Sequence, residues 1–438
     1  MQLDLASRSG PKVTQRTHNV LRRYALDELH KKNPVACIEA MQKLVESEPD
    51  GELVYGVSEV AYIQAKKREK AHPGEALDLY GVAVSNAYMY LFASDFDSVR
   101  NPYDPQFRGA CDLYNQALEG SLRLIISQGQ LKPGQSYEVV TQTQRYNVQT
   151  AIKGPWCAQD FDHFEFVSEY QIEGLNQTGI TYGLGVPLIA VRRKGPDNDP
   201  REAYLPNGLS FPVTALLRVV PTADSAGGQH ALHRHQCVLE LHDPLLSSDI
   251  NICNRLVPLQ TDLSTALAYF LDNPEFREKQ AATAGFINPQ KTQKYRGIVM
   301  LEPFDPHRIP VLMVHGLWSS PVTWMPMFND LRSFPDIRKN YQIWFYHYPT
   351  GQPFWMSGTQ LREDLVALRQ KLDPDRHYEA LNQMVLVGHS MGGLVSRLQT
   401  IESRDDFWKI LSDKPFEQVQ GTPDELNLPR GAFFRPNL

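Results

Sequence analysis

At 438 residues the chain is long enough for two or three domains. Its 42% hydrophobic and 21% charged residues are those of an ordinary globular protein, which excludes a disordered or fibrous chain. A formal net charge of -6 argues against nucleic acid as a partner.

Met1–Val20 holds no apolar core for a signal peptide, and no apolar run approaches the roughly 18 residues of a membrane helix. As written, the chain reads as cytoplasmic; a start further upstream would leave room for an export signal. Residues 1–128 form the α-helical region. Asn33-Pro34 is a helix start, with a capping oxygen followed by proline at the first position. Leu77, Tyr80, Val84, Tyr88 and Leu91 recur at helical spacing, as do Tyr114, Leu118, Leu122 and Ile125. No period of about 34 residues, the mark of helical repeats, is present.

Gly, Pro and Gln cluster at Gln128–Ser136, and the pattern then changes to short β-branched runs. Examples are Tyr137–Thr141, Phe164–Tyr170, Val186–Arg192, Phe211–Val220 and Cys237–Leu241. Residues 129–260 are therefore expected to be β-rich. Residues 261–295 read as a helical connector through Thr261–Asn273 and Glu275–Ala284. From 296 to 438 short apolar strands alternate with amphipathic helices, the pattern of a parallel sheet covered on both faces. The strands are Gly297–Leu301, Val311–Val314, Tyr341–Tyr346 and Met384–Val387. Ser320-Pro321 and the capping box Ser357-x-x-Gln360 are expected to start two of the helices.

The last strand runs into Gly388-His389-Ser390-Met391-Gly392-Gly393. Gly-x-Ser-x-Gly between a strand and a helix is the pattern of a nucleophile elbow. The turn brings backbone so close that Gly388 and Gly392 need to lack side chains, and Gly393 is expected to let the helix pack on its strand. A second strand ends in Val314-His315-Gly316-Leu317-Trp318. The stretch between the two motifs suits helix, strand and helix. The backbone N–H groups of Leu317 and Met391 are then the expected donors to an oxyanion, with His315 and Gly316 in support.

On Pro310–Trp318, the loop Tyr348-Pro349-Thr350-Gly351 and Val387–Gly393, the chain resembles the lipase- and esterase-like α/β-hydrolases. More specifically it resembles bacterial, largely uncharacterised members with a long N-terminal extension. That similarity also runs through Asn101–Phe107 and Tyr182–Pro187. The resemblance implies an α/β fold whose residues 296–438 are the N-terminal part of a hydrolase domain. It implies Ser390 as nucleophile in the hydrolysis of carboxylic esters, an ester or lipid-like small molecule as substrate, and no cofactor. The fold orders its triad as Ser, then Asp or Glu, then His.

The pattern is departed from at that last step. No histidine follows His389, and the later carboxylates, Glu402, Asp405, Asp406, Asp413, Glu417, Asp424 and Glu425, fall in the next helix or in polar stretches. The chain is read as C-terminally truncated, with the triad acid and base unassigned. Upstream, His315 is expected to brace the oxyanion loop, His389 to point into supporting structure and His347 to approach the rim of the site. Trp318, Trp324, Phe354 and Trp355 would suit an apolar acyl group. The alternatives are an acyltransferase with the same elbow, and a non-catalytic scaffold that keeps the elbow by descent. An unpaired sheet edge after Met384–Val387 is expected to promote self-association.

Two weaker patterns are set aside. His230, His233, His235 and Cys237 lie within eight residues; if 233–237 is extended the last three share one face, but no fourth ligand joins them beside the Gly-rich turn, so no metal is expected. Gly183-Leu184-Gly185 lacks the third glycine of a dinucleotide site and reads as a turn. The cysteines Cys37, Cys111, Cys157, Cys237 and Cys253 contain no Cys-x-x-Cys and indicate no disulfide framework.

Overall fold

The computed structural model describes residues 12–438, apart from 99, 130, 141–144, 174, 176–178, 197, 221–233, 280–287, 289, 291–292, 402–405, 424–425, 427–429 and 431–438. It combines α-helices with mixed β-sheets, and the chain divides into two compact units. The first comprises residues 1–169, 180–189 and 212–262, the second 170–179, 190–211 and 263–438. No helix among the described residues is long and apolar enough to cross a membrane.

The first unit opens with six helices: α1 (Gln15–Arg23), α2 (Asp27–Lys32), α3 (Pro34–Ser47), α4 (Gly51–Arg68), α5 (Pro73–Phe92) and α6 (Pro105–Ser127). The Asn33 side chain accepts the Ala36 N–H at 3.2 Å and caps α3. Every residue of α4 from Leu53 to Ala65 is buried, because α1, α3, α5 and α6 surround it. That explains why no single apolar face marks this helix in the sequence. Its buried Glu59 is satisfied where α1 begins, accepting the Thr14 backbone N–H and hydroxyl.

The strands that follow are β1 (Ser136–Val140), β2 (Arg145–Lys153), β3 (Phe161–Phe166), β4 (Ile180–Thr181), β5 (Val186–Arg192), β6 (Ser210–Val220) and β7 (Arg234–His242). All but β4 form one sheet in the order β1-β2-β7-β6-β5-β3. The expected strand Phe164–Tyr170 is displaced: β3 ends at Phe166, and Val167–Glu169 turns into a 3₁₀ segment. Helix α6 docks on the sheet through Tyr114, whose hydroxyl donates to Leu217 O at 2.6 Å and accepts from Leu217 N at 2.8 Å. Asn115 binds the carbonyl of Gly183 and the N–H of Gly185. Gly185 sits at φ 112 and a side chain on Gly183 would strike Pro258 O at 2.2 Å, so this glycine pair is spent on a tight connection. A hairpin of β8 (Asp249–Ile252) and β9 (Arg255–Pro258) precedes β10 (Thr261–Asp262), which pairs with β4. The expected helix from Thr261 therefore begins only at Ser264.

The second unit holds β11 (Gly297–Met300), β12 (Ile309–Val314), β13 (Tyr341–His347) and β14 (Val385–Gly388), in the order β11-β13-β12-β14. The sheet is mixed, not wholly parallel: β12 pairs in parallel with β13 and β14, whereas β11 runs antiparallel to β13. The helix Phe354–Leu372 buries Leu361, Leu365 and Leu368, as the spacing predicts, but it starts before the expected capping box. Ser357 and Gln360 therefore lie inside the helix, where both accept from the Gln352 side-chain amide instead of capping.

Strand β14 ends the sheet order, and Val385 on it is 42% exposed. An apolar strand in that position is a template for pairing with another chain. Sedimentation velocity across a concentration series is expected to show self-association, reduced by Val385→Lys. A single monomeric species at every concentration would contradict this.

Candidate active site

Strands β12 and β14 pair in register, with Val311 opposite Val385 and Val314 opposite Gly388. Their C-terminal ends thus leave the sheet side by side. The Val314 carbonyl takes one further bond, from the His389 N–H at 3.1 Å, and the chain then turns sharply into the helix Met391–Arg397. Gly392 N–H closes on His389 O and Gly393 N–H on Ser390 O, both at 2.9 Å.

Ser390 stands in this turn at φ 53 and ψ -124. A non-glycine residue held at positive φ stores strain on the order of 1–3 kcal/mol and persists only where its surroundings enforce it. Three glycines enforce it here. A Cβ on Gly392 would lie 2.2 Å from Val314 O and 2.5 Å from His315 O. On Gly388 it would lie 2.5 Å from Gly392 O. On Gly316 it would lie 3.0 Å from Ser390 Cβ and from His389 Nδ1. Gly393 was expected to be needed for close packing, but a Cβ there would meet Gly388 O at an ordinary 3.7 Å. Its neighbours leave room because the helix already diverges from the strand at that point.

The loop after β12 is held from below. His315 is fully buried, with its ring stacked on Tyr348 at a centroid distance of 4.5 Å. The Tyr348 hydroxyl donates to His315 O at 2.6 Å. His315 Nδ1 lies 3.1 Å from Gly316 O, which assigns the proton to that nitrogen, while Nε2 is buried without a partner among the described residues. Burial holds the His315 pKa down, to about 3, so the ring is neutral at physiological pH. Trp318 adopts φ 57 and donates its N–H to Thr350 Oγ1 at 3.2 Å. Leu317 N–H and Met391 N–H, by contrast, have no acceptor among the described residues. The Tyr348–Gly351 loop thus supplies two supports, Tyr348 and Thr350, whose individual roles sequence reasoning missed. The only signal for them was that the loop belongs to the resemblance.

The remaining histidines do not lie where the sequence reading put them. His347 was expected at the rim; it is buried at the end of β13, its ring 6.0 Å from that of His315. Trp344 to His347 are buried in succession at this end of β13, so the strand carries no polar side there. Desolvation lowers the His347 pKa to about 4. His389 was expected to point into supporting structure; it is exposed, beside Gly316 and edge-on to Trp324 at 6.5 Å. Ser390 is exposed too, and among the described residues no imidazole or carboxylate hydrogen-bonds its hydroxyl. Asp406, Asp413 and Glu417 are described; Glu402, Asp405, Asp424 and Glu425 lie outside the described residues. A half-buried carboxylate that sequence reasoning missed, Asp364, accepts from the Tyr346 hydroxyl and from Arg296 and so braces β13.

Apolar surface surrounds these loops. Leu317 is 52% exposed and Trp318 56%. Trp355 is also exposed, with Phe354 packed edge-on at 5.4 Å. Trp324, for which the sequence left an acyl-binding or a core place open, is core.

No group of three or more His, Cys, Asp or Glu among the described residues is arranged to hold a metal ion. Of the sequence cluster, His230 and His233 lie outside the described residues. Cys237 is buried against Tyr146, and desolvation pushes its thiol up to about 12, as for a core residue. Comparison of the chain with family models, curated proteins and solved structures returned no match.

Proposed function

We propose that the second unit is of the lipase- and esterase-like α/β-hydrolase kind, and that Ser390 is the nucleophile of a carboxylic-ester hydrolase. The observation that carries this reading is the enforced backbone of Ser390, at positive φ between a strand and a helix and walled by Gly316, Gly388 and Gly392. Such strain is retained where it serves a purpose, and exposing a serine hydroxyl above a sheet is one. The two open N–H groups, of Leu317 and Met391, support it as the oxyanion donors. The sheet order and the sequence resemblance agree with it.

In this reading Ser390 Oγ bonds to the ester carbonyl carbon, and the carbonyl oxygen takes the negative charge against the two N–H groups. Collapse breaks the bond to the alcohol, which leaves with the serine proton. Water then hydrolyses the acyl-enzyme and restores the hydroxyl. Transfer to an alcohol instead of water would make the same site an acyltransferase. Exposed Leu317 and Trp318 suit an apolar acyl group or a lipid-like ester. The absence of a base in contact with Ser390 among the described residues favours slow turnover, about 10⁴-fold below a complete triad.

The test is labelling by a fluorophosphonate, with hydrolysis of p-nitrophenyl butyrate measured in parallel. Wild type is expected to label slowly and Ser390→Ala not at all, with weak Ser390-dependent ester turnover. Labelling that is absent in wild type, or that persists in Ser390→Ala, would sink the hydrolase reading and leave the scaffold.

A further inference from the structure

A second concave site lies wholly within the first unit and has no part in the chemistry above. It is a cleft of about 790 Å³ between the C-terminal end of α5, the first turns of α6, residues 182–184 and β9. That volume is within the range of small-molecule sites, about 300–1,000 Å³. Its walls are apolar, from Leu91, Phe92, Phe107, Leu184 and Val257. Three arginines, Arg100, Arg108 and Arg255, line it against a single carboxylate, Asp97.

Two of the guanidiniums are locked in place by the end of α5. Arg100, with a side chain 6% exposed, donates to Tyr90 O at 2.7 Å, to Ala93 O at 2.5 Å and to Asp97 Oδ1 at 2.6 Å. Arg255 donates to Leu91 O at 2.6 Å and pairs with the same Asp97. The helix-end carbonyls therefore fix positive charge at the cleft before any ligand arrives, which lowers the ordering cost of binding. Arg108 is the accessible member. Its Nε reaches Asp112 at 3.1 Å, its guanidinium lies 5.2 Å from the Tyr182 ring, and its side chain is 60% exposed. At the rim, Tyr182 is 69% exposed and Leu256 75%. Large apolar side chains left in water beside a cationic, apolar-walled cleft are costly unless something covers them.

The geometry points to a binding site for a small amphipathic anion, a carboxylate or phosphate monoester on an apolar body. The head group meets Arg108 with Arg255 behind it. The apolar body lies along Phe92, Phe107 and Val257 and is covered by Tyr182 and Leu256. The two head groups share this chemistry, and a pair of probes separates them.

The test is isothermal titration calorimetry on the full chain with decanoate, decyl phosphate and decanol. At least one anion is expected to bind ten times more tightly than decanol, and the tighter of the two identifies the head group. Arg108→Gln should lower that affinity about tenfold and leave decanol unchanged. Leu256→Asp, at an exposed position that should not disturb folding, should lower it at least as far, whereas Leu256→Lys should preserve it. Equal binding of anions and decanol, no binding of either anion at millimolar concentration, or affinities indifferent to both Arg108→Gln and Leu256→Asp would overturn the proposal.

Discussion

Gly392→Ala is expected to destabilise the second unit by about 3 kcal/mol or more. The added methyl would sit 2.2 Å from Val314 O and 2.5 Å from His315 O, and neither oxygen can retreat cheaply. Val314 O accepts the His389 N–H, and the residues before it pair with β14, so moving it opens the β12–β14 ladder. The His315 carbonyl is tied to the Tyr348 hydroxyl. For a unit of this size such a loss lowers the melting temperature by roughly 6–12 °C. Gly393→Ala is the control: its Cβ has ordinary contacts and gains helix propensity, so it should melt within about 0.5 kcal/mol of wild type. Calorimetric melting of both variants decides the matter. A Gly392→Ala variant as stable as wild type, or a Gly393→Ala variant the weaker of the two, would refute the glycine clamp.

Acid is expected to weaken the same unit before it reaches the ordinary carboxylate range. His315 and His347 are buried and neutral, with pKa values pulled from 6.5 to about 3 and about 4 by desolvation. Below pH 6.5 the unfolded chain takes up protons at both rings and the folded chain does not, so stability falls as pH falls. It is complete above about pH 6.5 and is lost progressively down to about pH 3. Each ring contributes at most about 1.4 kcal/mol per pH unit within its window. Between pH 6.5 and 4.5 the combined loss is on the order of several kcal/mol. Asp364 works the other way, because burial raises its pKa and its protonation on acidification favours the folded form. Urea midpoints at pH 7, 5.5 and 4.5 test this, and His347→Gln should flatten the slope by about half. A midpoint indifferent to pH over that span would contradict the buried-neutral assignment.

The elbow was legible because its constraint is local. A Cβ on Gly388 would strike the backbone of Gly392 four residues on, so that requirement is written in adjacent sequence, and the Gly-x-Ser-x-Gly spacing marks Gly392 too, although what excludes a side chain there is Val314 and His315 of β12. The start of α3 and the approximate places of the strands of the second unit were readable for the same reason, since capping and strand propensity act over a few residues, although the strand ends differ by one or two residues. The capping box at Ser357 failed because the helix begins earlier, at Phe354, and both side chains accept from Gln352 instead. The solvent-facing His389 and the buried His347 were misplaced because exposure depends on which strand becomes central, and spacing does not state that.

The sequence by itself determined the serine, the Gly-x-Ser-x-Gly spacing around it and the strand-to-helix junction, because these are marked by local pattern and, for Gly388, by backbone sterics over a handful of residues. Only the tertiary structure decided what surrounds them. The in-register pairing of β12 with β14 brings Gly316 so close to Ser390 that a Cβ on Gly316 would lie 3.0 Å from the Ser390 Cβ. The stacking of Tyr348 on His315 braces the loop, and Arg255 meets Arg100 and Arg108, both from far earlier in the chain, in one cleft. Each of these depends on contacts between distant segments, which form only when burial of the core repays the entropy of bringing them together.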